Sequence, residues 1–131
     1  MALVVSAVVA FLSWYDPALG GINCDLDCAH LADGSPVAVW YDRAIACPME
    51  FPLGSLIDIP GIGVRECRDR GGAICCHEWG CVFDVLTKTP IRTSFISSDK
   101  GLIPTYPIDV QVQTPLYYWP FTRQPSRQFV H

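Results

Sequence analysis

No stretch of ten or more residues in this chain carries a sustained 3.6-residue apolar period, whereas short runs rich in Val and Ile recur between Gly and Pro turn signals. A chain without amphipathic helices has to build its core from sheet, so the pattern predicts an all-β fold. The candidate strands are residues 4–13, 36–41, 44–47, 55–59, 63–67, 82–86 and 108–113. In the last of these, Ile108, Val110 and Val112 alternate with Asp109, Gln111 and Gln113, the signature of a strand with one buried face. That face is expected to close the core. Turns fall at Gly20-Gly21, Asp33-Gly34, Pro60-Gly61 and Gly71-Gly72, where glycine opens backbone angles closed to other residues. Short strands punctuated in this way favour a small barrel over a sandwich of long strands.

A length of 131 residues suits one domain, and a chain that is 50% apolar and 17% charged has enough core-forming residues to fold. The net charge of −4 supplies no basic face for phosphates, which argues against a nucleic-acid partner. Residues 2–12 are apolar but lack the basic flank and small-x-small site of a secretion signal. They also fall far short of the roughly 20 residues that span a bilayer, so the run reads as a buried strand with no membrane span. Seven cysteines indicate an oxidising destination or metal ligation, and the odd count leaves at least one thiol outside any set of intramolecular pairs.

The composition changes after Thr114. Residues 115–131 hold three Pro, five aromatics (Tyr117, Tyr118, Trp119, Phe121 and Phe129), two Arg, no Gly and no acid. The expected organisation is therefore a barrel domain over 1–114 and an extended C-terminal tail over 115–131, since Pro cannot donate to a sheet ladder. The tail's aromatics are expected to cover the barrel's own flank or to pack on a protein partner, a second copy included.

Three segments carry a resemblance. The first is Ser13-Trp14-Tyr15-Asp16. The second is Ala46-Cys47-Pro48-Met49-Glu50-Phe51-Pro52-Leu53-Gly54-Ser55, leading into Leu56-Ile57-Asp58-Ile59. The third is Arg68-Asp69-Arg70-Gly71-Gly72-Ala73-Ile74, followed by Val82-Phe83-Asp84-Val85. In order and spacing they resemble the double-psi β-barrel family, closest to the three-aspartate domain and the barrel of lytic transglycosylases. They are also similar to rare lipoprotein A, expansins and barrel endoglucanases. The resemblance covers about residues 13–113 and implies a six-stranded double-psi β-barrel with a Cys-rich loop insertion.

The resemblance also implies a role for each of three carboxylates in acting on, or binding, a cell-wall glycan such as peptidoglycan. Asp84 stands where the family's catalytic acid lies, Asp69 would be its cleft partner, and Asp16 is the candidate base if the reaction is hydrolysis. Each has an ordinary structural alternative: an outward residue on an amphipathic strand for Asp84, a turn cap for Asp69, and a turn opener before Pro17 for Asp16. Gly71 and Gly72 would let the backbone turn tightly beside the cleft, and Trp14, Tyr15 and Trp79 would stack on sugar unless they belong to the core. Acid–base chemistry of this kind calls for no cofactor and no metal.

The sequence departs from the family at two places: Cys47 replaces the first of the three aspartates, and Cys75-Cys76-His77-Glu78-Trp79-Gly80-Cys81 lengthens the path to Asp84. Cys24, Cys28, Cys75, Cys76 and Cys81 suit disulfides that fix two loops, and with His77 they also suffice for a tetrahedral zinc site. Cys47 and Cys67 read as bridges to the barrel or as buried thiols. An extracellular or cell-surface location is expected, on a virion in one version. The rival to a glycan enzyme is a non-enzymatic subunit of an extracellular assembly, a virion or a filament, built on the same barrel.

Overall fold

The computed structural model describes residues 3–24, 27–99 and 101–115. Nine strands are present among them: β1 (Leu3–Tyr15), β2 (Ala44–Ala46), β3 (Leu56–Ile59), β4 (Gly63–Asp69), β5 (Cys76–His77), β6 (Gly80–Leu86), β7 (Phe95–Ser98), β8 (Gly101–Pro104) and β9 (Ile108–Pro115). Six of them close into a barrel in the order β1-β9-β3-β4-β2-β6, with β6 returning to β1, while β5 lies outside on β6. The ring is mixed. β1/β6 and β2/β4 are parallel, and the other four contacts are antiparallel.

All six barrel strands coincide with predicted ones, because each must present alternate apolar residues to one interior. Ala10 and Leu12 from β1, Ile45, Ile57 and Ile59, Phe83 and Val85, and Val110 and Val112 form that interior, all within 1% of complete burial. Cys47 and Cys67 join it as a disulfide, tying the segment after β2 to β4 from inside the barrel.

A second cluster lies outside the ring. Tyr15, Ala44, Ala46 and Leu86 are the outward residues of β1, β2 and β6, and the long connection between β1 and β2 covers them with Leu31 and Val37. Here the expected strand at 36–41 is corrected: Val37–Trp40 is a single helical turn, α1. Both Val37 and Trp40 pack on the outer cluster while Val39 is 54% exposed. A spacing of three puts two residues on that surface, which strand alternation could not do.

The hairpin of β7 and β8 was not anticipated from the sequence, nor was β5, which pairs back on β6 through Cys76↔Cys81 and His77↔Gly80. Gly80 is obligatory at that point: its φ is 148°, and a Cβ would lie 2.8 Å from the Val9 carbonyl oxygen. β9 carries the ladder to Pro115, one residue past the expected boundary, and the tail over 116–131 lies outside the described residues. No helix among the described residues is long and apolar enough to cross a membrane.

Candidate active site

Four strands of the ring lie side by side as β1, β6, β2 and β4, and their register puts Ser13 beside Asp84, Asp84 beside Ala46, and Ala46 beside Asp69. The row therefore reads hydroxyl, carboxyl, methyl, carboxyl across the sheet. A small residue between the two acids leaves space above it. Above that row a cavity of about 160 Å³ opens, whose lining includes Asp84, Asp69, Ala46, Tyr15, Gly71 and Gly72. Its other wall comes from the loop after β1, including Asn23, Cys24, Asp27 and His30.

Asp69 is buried and held on both oxygens. The Tyr15 hydroxyl donates to Oδ2 at 2.7 Å, and the amides of Ala32 and Arg70 donate to Oδ1 at 2.8 and 3.0 Å. A carboxylate accepting three donors is fixed in place. The reciprocal effect falls on Tyr15. Burial, together with the charge and hydrogen bond of Asp69, pushes its hydroxyl well above the usual tyrosine range.

Asp84 accepts one hydrogen bond, 2.6 Å from the Ser13 hydroxyl to Oδ1. Burial pushes its carboxyl up, the Ser13 bond pulls it back, and the charge of Asp69 pushes it up again, to about 6. The two acids on one row thus differ in setting: Asp69 is anchored by three donors, whereas Asp84 has one and its carboxyl is raised. A raised carboxyl beside an anchored one is an arrangement suited to proton donation.

Gly71 permits this approach from the side. A Cβ there would meet Ile74 Cγ1 at 2.7 Å, and Ile74 packs on the outer cluster as well as lining the cavity.

The other predicted site residues lie elsewhere. Asp16 is not among the cavity-lining residues. It caps the short turn Pro17–Leu19, accepting from the Ala18 amide at 3.0 Å and from the Tyr41 hydroxyl at 2.5 Å, with Lys88 Nζ 3.8 Å from its other oxygen. Burial would raise its carboxyl, but these donors and the Lys88 charge outweigh it and hold the group below the usual carboxylate range. On the other side of that bond, burial and Asp16 push Tyr41 up to about 12. Trp79 packs edge-on against Phe11 at 5.0 Å and stacks on His77 at 4.4 Å, away from the cavity. Trp14 is half-buried and does not line it either. Tyr15 does, through a ring in the outer cluster rather than as an open platform.

Cys24 is bridged to Cys28 and Cys76 to Cys81, so four of the sulfurs weighed as zinc ligands are already spent in disulfides. Cys75, grouped with them from the sequence, is instead a free thiol, 3.4 Å from His77 Nε2. Its neighbour Cys76 takes the hairpin position opposite Cys81, which leaves Cys75 one residue short of that register.

Ser13, Ala46, Asp27 and His30 were missed as site residues. The first two are placed by cross-strand register, to which local sequence is blind. Asp27 and His30 had one local signal: an acid three residues before a histidine, beside a Cys-x-x-x-Cys loop. Asp27 Oδ2 lies 3.0 Å from His30 Nδ1.

Compared with known proteins, the sequence matches no family model and no curated protein, and the barrel matches no solved structure.

Proposed function

We propose that the protein cleaves or binds a cell-wall glycan, peptidoglycan foremost, in the cavity above the Ser13–Asp84–Ala46–Asp69 row, with Asp84 as general acid. The observation that carries this reading is the Asp84 carboxyl, raised to about 6 by burial and by Asp69 on the wall of that cavity. Two parallel pairings in an otherwise antiparallel six-stranded ring support the double-psi assignment.

The bridge between Cys47 and Cys67 narrows the chemistry. At the place of the family's first aspartate stands a sulfur facing the core, so a reaction that needs three carboxylates is not available. A single-acid reaction is. Asp84 would give its proton to the glycosidic oxygen as the bond to the anomeric carbon breaks. A hydroxyl of the same sugar would then bond that carbon and return its proton to Asp84, leaving an anhydro end. Asp69, with both oxygens occupied, is suited to fix charge and geometry rather than to activate water. Asp16, tied into its own turn, is poorly placed as a base. Three disulfides support an oxidising, extracellular setting.

The test is turnover of purified peptidoglycan by the wild type and by Asp84→Asn, with the released fragments weighed. Anhydro ends that vanish in the variant support the single-acid mechanism, and reducing ends would indicate hydrolysis. No binding and no release by folded, oxidised protein would sink the glycan reading. A second reading, a non-enzymatic subunit of an extracellular assembly, is favoured by β1, where no described strand lies on the β6 side of residues 3–8 and Val5 is exposed.

A further inference from the structure

The cavity has a second wall that the acid chemistry leaves unused. It is built by the connection after β1, and its residues include Asn23, Asp27 and His30. His30 Nδ1 donates to Asp27 Oδ2 at 3.0 Å, and Oδ1 of the same carboxylate accepts the amides of Ala29 and His30 at 2.9 and 3.1 Å. A carboxylate can only accept, so the ring hydrogen sits on Nδ1 and Nε2 is left as an acceptor.

The pair is held in place from both ends. Cys24 and Cys28 close a disulfide around Asp27. Beyond His30, Leu31 is buried in the outer cluster and the Ala32 amide donates to Asp69 Oδ1 at 2.8 Å, so the backbone that carries the imidazole is tied to the acid row itself. His30 also bridges to Pro36. An exposed Asp–His pair adds little to stability, which leaves its placement on the cavity wall to be explained. With 49% of its side chain exposed, the imidazole is open to a ligand.

Other polar side chains around the cavity are engaged by the protein itself. Asn23 accepts the Asp16 amide at 3.1 Å and donates to the Gly20 carbonyl at 3.3 Å, and the Tyr15 hydroxyl is spent on Asp69, which takes two amides besides. Nε2 of His30 has no hydrogen-bond partner among the described residues. We propose that His30, oriented by Asp27, holds the sugar unit on which Asp84 acts, accepting at Nε2 a hydrogen bond from an O–H or N–H of that unit. This rests on the glycan reading of the cavity and adds to it the group that orients the ligand. The bound sugar presents a donor to one wall while its glycosidic oxygen meets the acid on the other. Such an acceptor also selects among ligands, since an analogue without the donor leaves Nε2 unpaired.

The test measures the dissociation constant of a soluble tetrasaccharide-peptide fragment of peptidoglycan, by calorimetry on the full, oxidised chain carrying Asp84→Asn so that the glycan stays intact. Adding His30→Ala should weaken binding about tenfold, the worth of one good hydrogen bond. His30→Gln, whose amide oxygen can stand where Nε2 stood, should bind within about threefold of the parent. Asp27→Asn should match His30→Ala, because its amide can donate to Nδ1 and move the ring hydrogen to Nε2, turning the acceptor into a donor. The nitrogen resonances of labelled His30 read that switch without any ligand: the hydrogen should sit on Nδ1 in the wild type and on Nε2 in Asp27→Asn. A wild-type hydrogen on Nε2, or binding that His30→Ala leaves unchanged, overturns this inference alone. A fragment that binds neither the wild type nor Asp84→Asn overturns the glycan reading and the inference with it.

Discussion

Replacing Asp84 by Asn should make this protein more stable at pH 8 and leave it nearly unchanged at pH 4. The folded state binds the Asp84 proton more tightly than the unfolded chain, with the carboxyl raised from its ordinary 3.8 to about 6. Between those values the folded protein is protonated and the unfolded chain is not, so stability falls as pH rises through that window. Above it, the folded state carries an ionised carboxyl in a place that disfavours the charge, at a cost of about 3 kcal/mol. Asn abolishes that cost and keeps an oxygen for the Ser13 hydroxyl, and the weaker bond to a neutral acceptor is already contained in the net shift. The gain at pH 8 is therefore about 3 kcal/mol, which for a domain of this size is roughly 9–15 °C in melting temperature. The assay is a set of thermal melts of both proteins, disulfides intact, at half-unit steps from pH 4 to pH 8. A stability difference that does not grow across that range would mean that Asp84 ionises alike in the folded and unfolded states, with no raised carboxyl in the cavity wall.

Two neighbours should move the same group in opposite directions. Ser13→Ala removes the hydrogen bond that favours the charged form and should raise the Asp84 midpoint, whereas Asp69→Asn removes a repelling charge and should lower it. Both are read from the pH at which the melting curves bend. The disulfide between Cys47 and Cys67 closes a separation of 20 residues inside the core, so Cys47→Ala with Cys67→Ala should cost about 3 kcal/mol in urea unfolding. A loss under 1 kcal/mol would mean that the barrel interior needs no such tie. Native, oxidised protein should react with one equivalent of a thiol reagent, at Cys75, and Cys75→Ser should abolish the signal.

The barrel strands were legible because a closed sheet imposes alternation on each strand independently: Ile108, Val110 and Val112 need no knowledge of their neighbours to be read as an inner face. The two acids of the cavity wall were legible as candidates through the Asp69-Arg70-Gly71-Gly72 turn and the Asp84 strand. Their relation was not. That Ala46 stands between them, and that Ser13 completes the row, follows from which strands adjoin and in what register, and two of those contacts are parallel pairings between segments far apart in sequence. Asp16 misled for the opposite reason, since the Asp-Pro turn before a short helical segment is a local motif and its local role is the one the structure gives it. Residues 36–41 form a short apolar run with two valines that reads as a strand, yet the surface they cover takes Val37 and Trp40 together, and tertiary contact overrode local preference. Cysteine pairing lay beyond the sequence altogether, because Cys75 and Cys76 are adjacent and the register of β5 on β6 decides which of them reaches Cys81.

The row of residues across four strands raises the Asp84 carboxyl towards the range of a proton donor. The direct measurement is the carboxyl carbon resonance of Asp84, assigned by its loss in Asp84→Asn and followed by pH titration of labelled protein. The midpoint should lie at about 6 and shift downward in Asp69→Asn. A midpoint near 4 that ignores Asp69 would rule out Asp84 as the general acid.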